Sequence, residues 1–177
     1  LMGLRAFKFV SIKYEVDKIE TTALNANILL TPLLKKSLRL QGQAVSKSNN
    51  FIGPGVELTF TNRNFLHGAE LLQFKLNGAY EVQLTRSDAG SLHALELGAE
   101  TSLAIPRFLT PIYIPYRSAK YLPQTQIKLG ANLQERIQYY RLASFNTAFG
   151  YLWRESTVKT HELFPADISY VKVGKRS

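Results

Sequence analysis

Residues 71–84, LLQFKLNGAYEVQL, decide the fold. Leu72, Phe74, Leu76, Gly78, Tyr80, Val82 and Leu84 share one parity, and Gln73, Lys75, Asn77, Ala79, Glu81 and Gln83 share the other. Successive side chains of a strand point to opposite faces, so this segment carries one apolar face and one polar face. The alternation lasts about a dozen residues, whereas a common globular strand has ~5–6. A tilted strand of roughly 9–11 residues is what crosses a bilayer. The segment therefore predicts a membrane strand.

The flanking sequence repeats the pattern. Val56, Leu58 and Phe60 alternate with Glu57, Thr59 and Thr61 over about 55–65. NFLHGAE then turns the chain into the segment above, and TRSDAGS turns it out again, with Asp88 and Gly90 suited to tight geometry. Leu95, Leu97, Ala99, Thr101, Leu103 and Ile105 oppose Glu96, Gly98, Glu100, Ser102 and Ala104. A long loop with Pro106, Pro111, Pro115 and Pro123 follows. Over 125–142, Ile127, Leu129, Ala131 and Leu133 alternate with Lys128, Gly130, Asn132 and Gln134. Leu129, Leu133, Ile137 and Tyr140 also fit a helical stripe, but Gly130 and the alternation favour one strand. Phe145, Thr147, Phe149, Tyr151 and Trp153 form the next apolar face, and 162–173 the last strand despite Pro165.

Upstream, the register has a different character. Leu38, Leu40, Gly42 and Ala44 oppose Arg39, Gln41 and Gln43, a thin apolar face that a glycine weakens further. Residues 7–16, FKFVSIKYEV, and 23–32, ALNANILLTP, read as two strands of a small soluble sheet, limited by Pro32, which has no amide hydrogen to donate. The chain is thus all-β: a two-stranded unit within 1–36, then an antiparallel meander of about seven strands over 37–177.

Composition is compatible with this and excludes several classes. The hydrophobic share is 45% and the mean hydropathy −0.10, as expected when each membrane strand gives only half its residues to lipid. The absence of cysteine rules out a disulfide scaffold and cysteine metal sites. The net charge of +9 comes from scattered cations, the densest groups being Lys35-Lys36 and Lys175-Arg176, so no nucleic-acid surface is expected. His67, His93 and His161 lack metal-ligand spacing, and no Gly-x-Ser-x-Gly elbow is present. No catalytic residues, metal or cofactor are expected.

Parity alone leaves two barrels open. A lipocalin-like binding module buries its apolar face; a membrane barrel turns it outward. The second is favoured by aromatics near strand ends (Phe65, Phe108, Tyr113, Tyr139, Tyr140, Trp153), where interfacial girdles form. It is also favoured by polar faces that mix glycine and alanine with charge. On that reading Val56, Leu58, Phe60, Leu72, Phe74, Leu76, Tyr80, Val82, Leu95, Leu97, Leu103, Phe145, Phe149 and Tyr151 face lipid.

FIGPGVELTFTNRNFLHGAELLQFKLNGAYE, residues 51–81, resembles the early barrel strands of the outer-membrane assembly factors, the BamA and TamA superfamily or bacterial surface antigen family. LGAETSLAIPRFLTP at 97–111 is similar to the next strand entering its turn. FNTAFGYLWRE and KTHELFPADISYVKV are similar to later strands in the Bacteroidetes branch of TamA-like proteins. FKFVSIKYEV and LNANILLTPL resemble the last two strands of a POTRA domain. The resemblance implies a periplasmic POTRA end over 1–36 and the first seven strands of a barrel of about sixteen over 37–177. The chain would then be a fragment, and the family's Arg-Gly-Phe signature of a late extracellular loop is not found in it. Also implied are a Gram-negative outer-membrane location, contact with lipid, unfolded outer-membrane clients, and periplasmic or inner-membrane assembly subunits. Insertion by strand templating would use Leu38, Arg39, Leu40, Gln41, Gly42, Gln43 and Ala44 as the edge. A secretion pore of the same architecture is the alternative.

Overall fold

The computed structural model describes residues 7–16, 24–47, 50–83, 92–111, 121–136 and 140–175. Every regular element among them is a strand. Strands β1 (Phe7–Val16) and β2 (Leu24–Pro32) form an antiparallel pair in which Val10 faces Leu30, Ile12 faces Ile28 and Tyr14 faces Ala26. Pro32 closes β2, as its missing donor dictates.

The remaining strands make one seven-stranded sheet in strict sequence order: β3 (Lys36–Ser46), β4 (Phe51–Asn62), β5 (Leu71–Gln83), β6 (His93–Ile105), β7 (Gln124–Arg136), β8 (Tyr140–Arg154) and β9 (Thr160–Lys175). All neighbours are antiparallel. The meander read from the alternation is therefore the architecture. Most strands have 11 to 16 residues, well above the ~5–6 of ordinary sheets.

Several boundaries differ from the sequence reading, including the end of β4 at Asn62 and the start of β9 at Thr160. β4 begins at Phe51, because Gly53 and Gly55 lie within the strand and not ahead of it. A side chain at Gly53 would strike the backbone of Tyr80 and Glu81, so glycine permits the close approach of β4 to β5 there. The run 125–142 is not one strand: β7 ends at Arg136 and β8 begins at Tyr140. The helical stripe is absent because Leu129 and Leu133 keep strand register with Thr147 and Ala143. The start of β8 ahead of Phe145 follows from that break. Leu84, Asp88, Gly90, Tyr113, Pro115, Ile137 and Tyr139 lie outside the described residues.

Burial is inverted relative to a soluble domain. Among the described residues the largest fully buried side chains are Glu81 and Thr125, types ordinarily found at the surface. Phe51, Ala94 and Ile105 are the buried apolar residues. Meanwhile Leu38 and Leu40 are 69% and 71% exposed.

Candidate functional site

Register turns the alternation of each strand into rows that cross the sheet. One row runs Leu38, Phe60, Phe74, Thr101, Leu129, Thr147, Ile168. The next runs Leu40, Leu58, Leu76, Ala99, Ala131, Phe145, Tyr170. Neither contains a charge. Rows on either side add Val56, Leu97 and Leu133, and Leu72, Leu103, Ile127 and Phe149. Tyr80, Val82, Leu95 and Tyr151 complete the same face. All the residues expected to face lipid thus stand on one side of one sheet. Val56, Phe74, Leu76, Tyr80, Leu97 and Phe145 are exposed there, and the others half-buried.

The opposite face is mainly polar across β3 to β7, with Leu142, Val171 and Val173 as apolar residues on β8 and β9. Arg39, Thr59, Lys75, Glu100, Gly130, Asn146 and Ser169 form one row. Gln41, Glu57, Asn77, Gly98, Asn132, Ser144 and Val171 lie in the next. Size is matched within these rows. Asn77 lies over Gly98 and Asn146 over Gly130, and any Cβ at either glycine would collide with the amide.

Two groups of charges on this face are paired. Lys75 Nζ lies 2.9 Å from Glu57 Oε2 on the neighbouring strand. Lys47, just past β3, reaches Glu81 Oε1 at 2.7 Å and Glu96 Oε2 at 3.0 Å. Burial opposes the charge on Lys47, but hydrogen bonds and attraction from Glu81 and Glu96 hold its pKa above the ordinary 10.5. That partner is what makes Glu81 tolerable at 2% exposure. Nearby, the Arg136 guanidinium of β7 sits 5.2 Å from the Phe51 ring of β4. Two strands separate theirs, so the polar face closes over itself at this end. Tyr140 also stands on this side, 5.5 Å from Arg136. It therefore does not join the aromatics expected at strand ends of the apolar face, since starting β8 at Tyr140 gives it the parity of Ser144 and Asn146.

At the opposite strand ends, 106–110 folds over the apolar face. Thr125 Oγ1 donates to the Arg107 carbonyl at 2.7 Å and accepts from Leu109 N–H at 2.9 Å, which explains its burial. The Tyr151 hydroxyl donates to the Leu109 carbonyl at 2.8 Å. Phe108 makes edge contacts with Tyr151 and Trp153 at 5.8 and 6.0 Å. An aromatic cluster therefore rims the apolar face. Proximity to strand ends indicates Phe108 and Trp153; the role of Thr125 carries no sequence signal, because a threonine at a strand start is unremarkable.

The turn between β4 and β5 is built on side-chain acceptors. Asn62 Oδ1 accepts from Asn64 N–H, and Asn64 Oδ1 from Ala69 N–H. Glu70 Oε2 accepts from Leu66 N–H at 3.1 Å and Gly68 N–H at 2.9 Å. Arg63 ties the turn to the segment before β3, its N–H donating to the Lys35 carbonyl and its Nη1 to the Leu34 carbonyl. The Asn-x-Asn spacing was the available signal for this network.

β3 is the edge of the sheet, with β4 its neighbour among the described residues. Leu38 faces Phe60, Leu40 faces Leu58 and Gly42 faces Val56. Arg39, Gln41, Gln43 and Ala44 are exposed as well, and the other edge carries its unpaired backbone groups. As to chemistry, no group of three or more His, Asp or Glu among the described residues could hold a metal ion. His93 accepts or donates at Tyr80 Oη over 2.8 Å, and His161 stacks on Trp153 while meeting Glu155 at 3.1 Å. No protein family, curated protein or solved structure matches the chain.

Proposed function

We propose that residues 37–177 are the first seven strands of an outer-membrane β-barrel and residues 1–36 the end of a periplasmic POTRA domain. The protein is then an outer-membrane insertion factor of the BamA and TamA kind, set in a Gram-negative outer membrane. One observation carries the reading. Two uncharged rows cross seven strands, and a 2%-exposed glutamate stands on the other face. A soluble sheet would bury the uncharged rows, and the cost of leaving them in water grows with area. In a bilayer the same face needs no cover. From Leu95 to Ile105 the face spans about 33 Å along the strand. At a tilt of roughly 40° this becomes ~25 Å, the height of the apolar band of such barrels.

The mechanism follows from the edge. An incoming strand gains main-chain hydrogen bonds by pairing with β3, with no cofactor or nucleotide. Its partners are outer-membrane lipid, unfolded outer-membrane clients and periplasmic or inner-membrane assembly subunits; nucleic acid has no place in it. The thin face of Leu38–Ala44 weakens pairing with a closing strand, which lets the edge open.

Cysteines placed along 38–44 in the full-length protein should crosslink to a stalled client. Prolines at positions whose amides face away from β4 should block insertion while the barrel still folds. Full insertion by those variants without any crosslink would contradict templating and favour a secretion pore, which passes its polypeptide through the lumen.

A further inference from the structure

The apolar face is not uniform. A shallow cavity of about 610 Å³ crosses it, floored by Gly78, Ala99, Ala131 and Ala143 and walled by Leu58 and Leu97. Small residues at adjacent register positions produce it, so the depression is written into the rows. One end of the floor is charged. Lys172 stands directly opposite Ala143. Arg141 lies two residues from Ala143 on the same strand and face. Same-face neighbours of this kind are within about 7 Å of each other. Glu135, directly opposite Arg141, meets its Nη2 at 2.9 Å. The three side chains leave one net positive charge at the end of an apolar trough.

We propose that this trough is a binding site for a phosphate-bearing bilayer lipid. The acyl chain lies over the small residues, and the phosphate meets Arg141 and Lys172. The inference rests on the membrane reading above. An apolar floor with cations at one end matches a lipid's own layout, a chain with an anionic head. Arg141 is 59% exposed, so its guanidinium can serve a phosphate while keeping its contact with Glu135.

The test uses the full-length protein with Phe145→Cys as its only cysteine, carrying a fluorophore. Phosphatidylcholine vesicles receive nitroxide-tailed phosphatidylglycerol or, at equal fraction, nitroxide-tailed phosphatidylcholine. The anionic lipid should compete about fivefold more strongly, as one unbalanced cation near a lipid surface supplies. Arg141→Gln with Lys172→Gln should abolish the preference, and Lys172→Arg should retain it. Ala131→Leu, which fills the floor, should lower quenching by the anionic lipid without touching either cation. Equal quenching by both lipids would overturn the site and leave the membrane reading standing. Quenching by neither would overturn both.

Discussion

Glu70 closes the β4–β5 turn from within. Burial opposes its ionisation, but hydrogen bonds from the amides of Glu70 itself, Gly68 and Leu66, with the charge of Arg107, hold its carboxyl below the ordinary 4.5. A carboxyl with a lowered folded pKa stabilises fully above its unfolded value, and the gain is lost as pH falls through the folded value. Glu70→Gln should therefore lower the unfolding midpoint at neutral pH and converge with the parent in acid. Parallel profiles down to pH well below 4.5 would refute the assignment. The same turn holds a second test. His67 and Ala69, not Gly68, occupy positive φ, at 69° and 62°. Gly68 is needed because a Cβ there would strike the Glu70 carboxylate. Ala69→Gly should gain up to about 1 kcal/mol by releasing left-handed strain. Gly68→Ala should lose about 1–3 kcal/mol by displacing the acceptor. Denaturant titration of the full-length protein in detergent reads both. Sequence alone points to a turn here and gives no reason for Gly68, since neither the φ values nor the carboxylate's reach is visible in the letters.

At the scale of the strand, the two faces of β5 differ in what they tolerate. Leu76→Lys puts a charge in the middle of the uncharged rows and should impair assembly by about 2–4 kcal/mol. Lys75→Leu removes a cation that pairs with Glu57 on the polar face and should cost far less. Folding yield into lipid measures the contrast, and equal damage or the reverse order would contradict the outward assignment of Leu76. Strand existence and pairing were legible because period-two alternation runs the length of each element. Leu38, Leu40 and Gly42 meet Phe60, Leu58 and Val56 as parity requires. The end of β7 at Arg136 is not legible: the sequence runs on through Gln134, Glu135, Arg136 and Gln138 without glycine or proline. Tyr140 was consequently placed among the rim aromatics. The Lys47–Glu81–Glu96 cluster was hidden for another reason. It joins residues up to 49 apart whose meeting depends on sheet curvature.

At the largest scale, the seven strands in a row among the described residues leave two edges, at β3 and β9. Unpaired backbone groups are not tolerated in hydrocarbon. A polypeptide of residues 1–177 alone should thus need detergent and melt without a cooperative transition, and a soluble, cooperatively melting monomer would contradict the barrel reading. The central claim is that the apolar face meets lipid and the polar face meets water. Spin labels at single cysteines along β5, in the full-length protein in bilayers, test it most directly. Collision with oxygen should peak at Phe74, Leu76 and Tyr80, and collision with a water-soluble nickel chelate at Gln73, Lys75 and Asn77. The opposite phase, or no period of two, would contradict it.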